Sequence, residues 1–280
     1  MSLLDRIGGR YSLMTAGEKR IFDLMNEDVK GFALASIGEV AIKLAISKTT
    51  LVRFAKGCGF AGYADFKRAL QQEVLLDVSP AHKLQQVIRN TGTIRPVDLG
   101  REEIRNLRQT MEAVSEEDLV SLVHMILQAG ELYTLSWGIS GHLAEIFAHR
   151  MKMIGIRCNV VRRHHGTLVE EAALIKSGEL VLVFEIPPYN LESSDAVNML
   201  VEKGARLVLI TDSPRCPLVP LVQLAFYCPT SASFFGNSLV GPLSWVNLLS
   251  SLVLYEKRDN VLDLLENQEK IFADKRYYHR

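Results

Sequence analysis

Three cations and three hydroxyls, Ser47, Lys48, Thr49, Thr50, Arg53 and Lys56, fall within ten consecutive residues, and no carboxylate stands among them. Side chains of these types bind nucleic acid. A guanidinium bonds guanine bidentately, which makes Arg53 the direct base reader, while Lys48 and Lys56 suit phosphate contacts. The excess is local: the chain carries 32 basic and 32 acidic residues, yet from Lys43 to Leu70 the cations Lys43, Lys48, Arg53, Lys56, Lys67 and Arg68 face Asp65 alone. A neutral chain that concentrates charge in one segment offers that segment to an anionic partner. Double-stranded DNA is the first candidate.

The elements that position these groups are two short helices across a tight turn. Ile37, Val40, Ala41 and Leu44 follow the i, i+3, i+4, i+7 rule and give the first helix one buried stripe, with Ser36 at its N-cap. Ala45 and Ile46 make the turn, and Ser47 caps the second helix. There Leu51, Phe54 and Ala55 share a face. At about 100° per residue the opposite face carries Thr49, Arg53 and Lys56, flanked by Lys48 and Val52. Gly57 and Gly59 end the helix. The pattern alone leaves two readings open: a recognition helix for the major groove, or a solvated basic helix in an ordinary bundle.

Around this hairpin the chain divides into zones. Residues 1–76 are helical in pattern, with Thr15 and Glu18 at capping-box spacing ahead of Ile21, Phe22, Leu24 and Met25. Residues 77–112 are polar, carry Pro80, Gly92, Pro96 and Gly100, and read as a linker with helical segments. Residues 113–260 alternate. The runs 132–136, 157–161, 180–185, 206–211 and 224–228 fit strands, with helical segments such as 142–153 and 193–203 between them, the signature of βαβ units and a parallel sheet covered on both faces. Residues 261–280 are left as a C-terminal tail.

An apolar share of 48% supports a proper core and excludes wholesale disorder. Cys58, Cys158, Cys216 and Cys228 are scattered without a paired motif, so buried free thiols in a reducing, cytoplasmic setting are expected. The opening MSLLDRIGGR has no apolar core before its charges, so no secretory signal is expected. From Cys216 to Tyr255 no residue is charged. That run contains Gly241, Pro242, Ser244, Asn247, Ser250 and Ser251, which favours a helix buried against the core or a partner subunit over a membrane span. Arg162, Arg163, His164 and His165 cluster after the second strand, where ligand-lining residues sit in parallel α/β folds. The paired histidines lack a carboxylate or Cys at ligand spacing, so no metal or other cofactor is expected.

The stretch AISKTTLVRFAKGCGFAGYADFKRAL resembles the N-terminal domain of the RpiR family of bacterial transcription regulators. The matching features are Ser47 opening the helix, Thr50 three residues on, the Arg53–Phe54 pair, the Gly59–Phe60 break, and then Gly62–Tyr63 and Phe66–Lys67. The resemblance implies an all-α helix-turn-helix domain followed by a sugar isomerase (SIS)-like domain, an αβα fold on a five-stranded parallel sheet that binds phosphosugars.

Two loops of that domain bear on the ligand. The family's Gly/Ser-rich loop after the first strand is similar to Ser136-Trp137-Gly138-Ile139-Ser140-Gly141, with Ser136 in the first Gly position. A helix start with a hydroxyl beside it makes an anion pocket. After the third strand the family reads S-x-S-G-x-T. Here those positions hold Glu185, Ile186, Pro187, Pro188, Tyr189 and Asn190. Two prolines remove backbone donors, and a carboxylate next to a phosphate is repulsive, which disfavours a phosphosugar bound in the usual way. Three readings stay open: a neutral or cationic effector anchored by Glu185 and Asn190 with Trp137 or Tyr189 as an apolar wall; a dimerisation scaffold with a lost pocket; or an anionic ligand held by Ser136, Ser140 and a basic side chain from elsewhere.

The function expected is therefore a ligand-responsive, non-enzymatic transcription regulator, a homodimer or homotetramer on a palindromic operator, with a small-molecule effector and no membrane partner. The alternatives are a DNA-binding scaffold without effector and an isomerase-like enzyme using Glu185 or His164. The helix-turn-helix and the altered loop count against the enzyme.

Overall fold

The computed structural model describes residues 3–27, 29–78, 84, 95–233 and 236–274. Contacts divide the chain into two units, one from Met1 to Thr93 with Phe234–Gly236, the other comprising Ile94–Ser233 and Asn237–Arg280.

The first unit is helical. It contains α1 (Leu3–Gly8), a 3-10 turn (Tyr11–Leu13), α2 (Ala16–Glu27), α3 (Val29–Leu34), α4 (Ile37–Leu44), α5 (Lys48–Gly57) and α6 (Tyr63–Val78). Thr15 and Glu18 form the expected reciprocal cap, Thr15 N–H donating to the Glu18 carboxylate at 2.9 Å and Glu18 N–H to the Thr15 hydroxyl at 3.4 Å. Of the apolar face expected on α2, Ile21 and Met25 are fully buried; Phe22 and Leu24 are half-buried. Phe66 of α6 is the hub of the core. It meets Phe32, Phe54 and Phe60 edge to face, at ring separations of 6.3, 5.8 and 5.3 Å. Such geometry adds to the area term, because ring edges and faces carry opposite partial charge.

The second unit begins with α7 (Pro96–Ala113) and α8 (Glu116–Gln128). Then follow β1 (Leu132–Ser136), α9 (Ser140–Met153), β2 (Cys158–Val161), α10 (Leu168–Ala172), β3 (Leu180–Glu185), α11 (Leu191–Glu202), β4 (Arg206–Thr211), β5 (Leu224–Tyr227) and α12 (Val240–Asp274). The five strands form one parallel sheet in the order β2-β1-β3-β4-β5. Alternate side chains of β3 serve opposite layers. Leu180, Leu182 and Phe184 join the core with α8, α9 and α12, and Val181 and Val183 join the core with α10 and α11. The α/β expectation, with its five strands, holds.

Two details differ from the sequence expectations. Within the segment read as a linker, Pro96–Ala113 is one continuous helix packed on α12, and α12 itself continues through residues read as a tail. The helical segments expected there did not read as one continuous helix because the inward face of α7 is polar. Asn106 and Thr110 are fully buried; the Asn106 amide donates to Ser231 O at 2.7 Å, and Glu102 receives Ser233 N–H at 2.8 Å. Ile104, Leu107 and Met111 are exposed instead. Pro80 and Gly92 lie outside the described residues. The charge-free run from Cys216 to Tyr255 supplies β5 and the first half of α12, where Trp245, Val246, Leu249 and Val253 are fully buried. Trp245 packs on Phe226 at 5.0 Å. The core of the chain itself thus accounts for much of the missing charge. No helix among the described residues is long and apolar enough to cross a membrane. The four cysteines are free thiols; Cys158, Cys216 and Cys228 are buried and Cys58 half-buried.

Candidate nucleic-acid interface and ligand cleft

The α4–α5 hairpin is fixed at both helix starts by side chains. Ser36 and Glu39 form a capping box, with Glu39 N–H on the Ser36 hydroxyl at 3.2 Å and Ser36 N–H on the Glu39 carboxylate at 2.6 Å. Ala45 closes α4 in the left-handed region at φ 53°, which turns the chain sharply into α5. Ser47 then accepts Thr50 N–H at 3.1 Å, and its oxygen lies 2.9 Å from the Thr50 hydroxyl. Leu51, Phe54 and Ala55 are buried, while Ser47, Lys48, Thr49, Arg53 and Lys56 are exposed and Thr50 is half-buried. Thr49, Arg53 and Lys56 stand at i, i+4 and i+7, one outward stripe.

Two residues modify the charge reading. Lys67 turns inward and donates to Ala35 O after the end of α3. Burial lowers its ammonium pKa against the opposing pull of Glu39. It serves the fold and leaves Lys48, Arg53 and Lys56 on the outward face of α5. The second, Glu18, was invisible as a neighbour of α5 in the sequence. Its carboxyl is held below the usual range, first by the Thr15 N–H and hydroxyl, with smaller pulls from Arg10 and Arg53. An acid within electrostatic reach of Arg53 is a distance relation that only the packing of α2 against α5 creates.

In the second unit a cleft of ≈ 170 Å³ opens at the C-terminal end of β1, lined by Ser136, Trp137, Gly138, Gly141, His142, Glu145, Arg162 and Arg163. Parallel register brings the two loops together, since Leu135 pairs with Val161 and the next residues are Ser136 and Arg162. Gly138 turns the β1–α9 loop at φ +60°. The Ser136 hydroxyl is buried and has no hydrogen-bond partner among the described residues. Trp137 stands at the rim, 38% exposed. Arg162 pairs with Glu145, and Arg163 lies 3.8 Å from Glu192. Both pairs are partly solvated, so each is worth on the order of 1 kcal/mol or less and is readily exchanged. His164 and His165 are exposed and stack on each other at 4.1 Å.

Of the expected effector residues, Ser136, Trp137 and Gly138 meet in this cleft. Ser140 is buried in the first turn of α9 and does not line it. Glu185, Tyr189 and Asn190 do not line it and are engaged internally. The Glu185 carboxylate, 3% exposed, accepts Asn190 N–H at 2.7 Å. The Asn190 side chain caps α11 by accepting Glu192 N–H at 2.8 Å, and the Tyr189 hydroxyl donates to Asp212. Burial pushes the Glu185 carboxyl up to about 7 against the lowering effect of the Asn190 N–H. Burial and the Asp212 carboxylate likewise raise the Tyr189 phenol. Pro187 is buried, and its carbonyl receives the Asn237 amide.

Residues 1–75 match the model of the helix-turn-helix domain of the rpiR family, and residues 125–256 match the SIS domain model. A helix-turn-helix-type transcriptional regulator of Haemophilus influenzae is 24% identical over 235 residues, 78% of this chain and 76% of its own. The regulator RpiR of Escherichia coli K12 is 21% identical over 272 residues, 93% of this chain and 88% of its own. Among solved structures, the Vibrio vulnificus NanR protein complexed with ManNAc-6P superposes with a TM-score of 0.67 at 21% identity, covering 98% of each chain. The sugar isomerase domain of an RpiR transcription factor from Sphaerobacter thermophilus gives 0.59 at 23% identity, covering 62% of this chain and 98% of that one. A helix-turn-helix unit on one chain with an SIS-type α/β unit defines a DNA-binding regulator with a ligand domain. The chain belongs to the RpiR family of transcriptional regulators.

Proposed function

We propose that the outward face of α5, with Ser47, Lys48, Thr49, Thr50, Arg53 and Lys56, reads a palindromic operator, and that a small effector at the β1–α9 loop shifts operator affinity. The observation that carries the first half is the capped hairpin: it buries Leu51, Phe54 and Ala55 and leaves Arg53 free to reach base edges. Ser47 and Thr50 bond each other, so their share is to order the N-terminus that meets the DNA backbone. The effector half is supported by the cleft and by the sugar phosphate named in the complex of the Vibrio protein. Coupling requires different effector affinity in two arrangements of the protein.

The reading is of a non-enzymatic regulator. Of the two acid/base residues that an isomerase reading would use, Glu185 is buried in its own loop, and neither it nor His164 lines the cleft. A homodimer or homotetramer fits a palindromic site, and the exposed Ile104, Leu107 and Met111 of α7 supply an apolar stripe for subunit contact. A cytoplasmic location follows from the work on DNA. Footprinting of the purified protein on DNA upstream of its own and adjacent genes tests the reading. A discrete protected palindrome is expected, and uniform binding without preference would overturn it.

A further inference from the structure

The base-reading face of α5 has an acid beside it. Glu18 of α2 is half-buried, and one of its carboxylate oxygens lies 3.6 Å from where a Cβ on Gly57 would stand. Gly57 follows Arg53 by four residues, so the two share one face of α5, a turn apart. With no side chain at 57, nothing of that residue stands between the carboxylate and the helix. Arg10 closes the same end of α5 by donating to Gly57 O. The Glu18 carboxyl is held below its usual range first by the Thr15 N–H and hydroxyl, then by Arg10 and Arg53.

Thr15 fixes where this acid sits. Its N–H and hydroxyl donate to the Glu18 carboxylate at 2.9 and 2.8 Å, and Glu18 N–H returns a bond to the hydroxyl at 3.4 Å. A capping box needs only an oxygen from its last residue, and glutamine serves there as well as glutamate. The cap therefore explains the position of Glu18 and leaves its charge unexplained. The other cations of this segment are committed to the fold. Arg6 lies over the Phe60 ring at 5.6 Å, Lys19 over the Tyr11 ring at 5.2 Å, and Arg20 donates to Leu44 O at 2.8 Å. No ion pair joins Glu18 to Arg53 among the described residues. Arg53 thus keeps its donors for a base while standing in the field of the carboxylate.

We infer that Glu18 is a specificity-determining residue of the DNA face, whose charge opposes a backbone phosphate at Arg53 and so reserves that guanidinium for a base edge. The inference rests on the reading of α5 above and adds a residue from another helix. Non-specific binding is made of phosphate contacts, each with a full negative charge. The guanine acceptors O6 and N7 carry only partial charge, so a carboxylate beside the reader penalises the wrong contact more than the right one. Glu18 also offsets Arg10, which keeps the C-terminal end of α5 from adding to a general attraction for DNA.

The test measures the affinity of the full chain for an operator duplex defined by footprinting and for a duplex of shuffled sequence, by fluorescence anisotropy at several salt concentrations. Glu18→Gln keeps the cap and removes the charge, and equal melting of variant and wild type shows that the cap is kept. It is expected to tighten the shuffled duplex about two- to fivefold, the size of a partly exposed charge interaction, and the operator less, so that the preference falls. The effect should fade as salt shortens the reach of the charge. In an Arg53→Ala chain the same substitution should leave the preference unchanged. Thr15→Ala, which loses the cap hydroxyl and keeps the carboxylate, should lower the melting temperature without loosening the preference. An unchanged preference in Glu18→Gln, a loss that persists at high salt or without Arg53, or an equal loss in Thr15→Ala would overturn the inference. Wild-type protein with no preference between the duplexes sinks the regulator reading itself, whereas a wild-type preference with any of those results sinks this inference alone.

Discussion

The carboxylate of Glu185, at the end of β3, accepts the backbone N–H of Asn190, at the start of α11, across 2.7 Å. The bond closes the loop that holds Pro187 and Pro188 and puts a titratable group where burial works against its charge.

A pH dependence follows. The folded Glu185 carboxyl titrates at about 7 against an ordinary value of 4.5. A raised carboxyl pKa means that the folded state holds its proton longer than the unfolded state. The contribution to stability is fully present below pH 4.5 and is lost as pH rises through 7. Glu185→Gln lacks this titration while keeping an oxygen for Asn190 N–H. Relative to wild type it is expected to gain up to roughly 3 kcal/mol between acid and mildly alkaline pH. Urea unfolding of both proteins at several pH values measures this, and a pH-independent difference would contradict it.

On the DNA side, Arg53 and Lys56 are expected to fail differently. Arg53→Ala should cost about 1–3 kcal/mol at one operator position and relax the preference there. Lys56→Ala should weaken all sequences alike and lower the slope of log K against log salt by about 1. Equal effects of the two substitutions on specific and non-specific DNA would argue against the division of labour on α5.

The cap at Ser47 is testable without DNA. Ser47→Ala removes the acceptor of Thr50 N–H and the partner of its hydroxyl. A loss of about 1 kcal/mol is expected in denaturant melts. Ser47→Asp should retain the cap, though not DNA binding, because it adds a negative charge at the phosphate-facing end.

At Gly241 a side chain has no room. Its Cβ would stand 2.5 Å from the Thr110 hydroxyl and 3.0 Å from Pro229 O, so α7 and α12 would have to move apart. Gly241→Ala is expected to destabilise by about 1–3 kcal/mol, the usual cost of overpacking. Thr110→Ala in the same chain should restore part of the loss, and no coupling between the two would show that the helices yield elsewhere.

What the sequence by itself determined was local. The hairpin was legible to the residue because caps, apolar stripes and outward cations all lie within a few turns, where helical periodicity fixes who faces whom. The strands were legible because β3, buried on both faces, is apolar from Leu180 to Phe184. The continuity and packing of α7 were not, since its inward side is held by Glu102 and Asn106 reaching residues 231–233, bonds that no periodicity records. Nor did spacing tell that Glu185 and Asn190 bond each other rather than a ligand. Tertiary structure alone decided the cleft: Ser136 and Arg162 are distant in sequence, and it is the parallel pairing of Leu135 with Val161 that sets them side by side. Strand register is a property of the assembled sheet, fixed by hydrogen bonds between segments and by the helices packed on its faces.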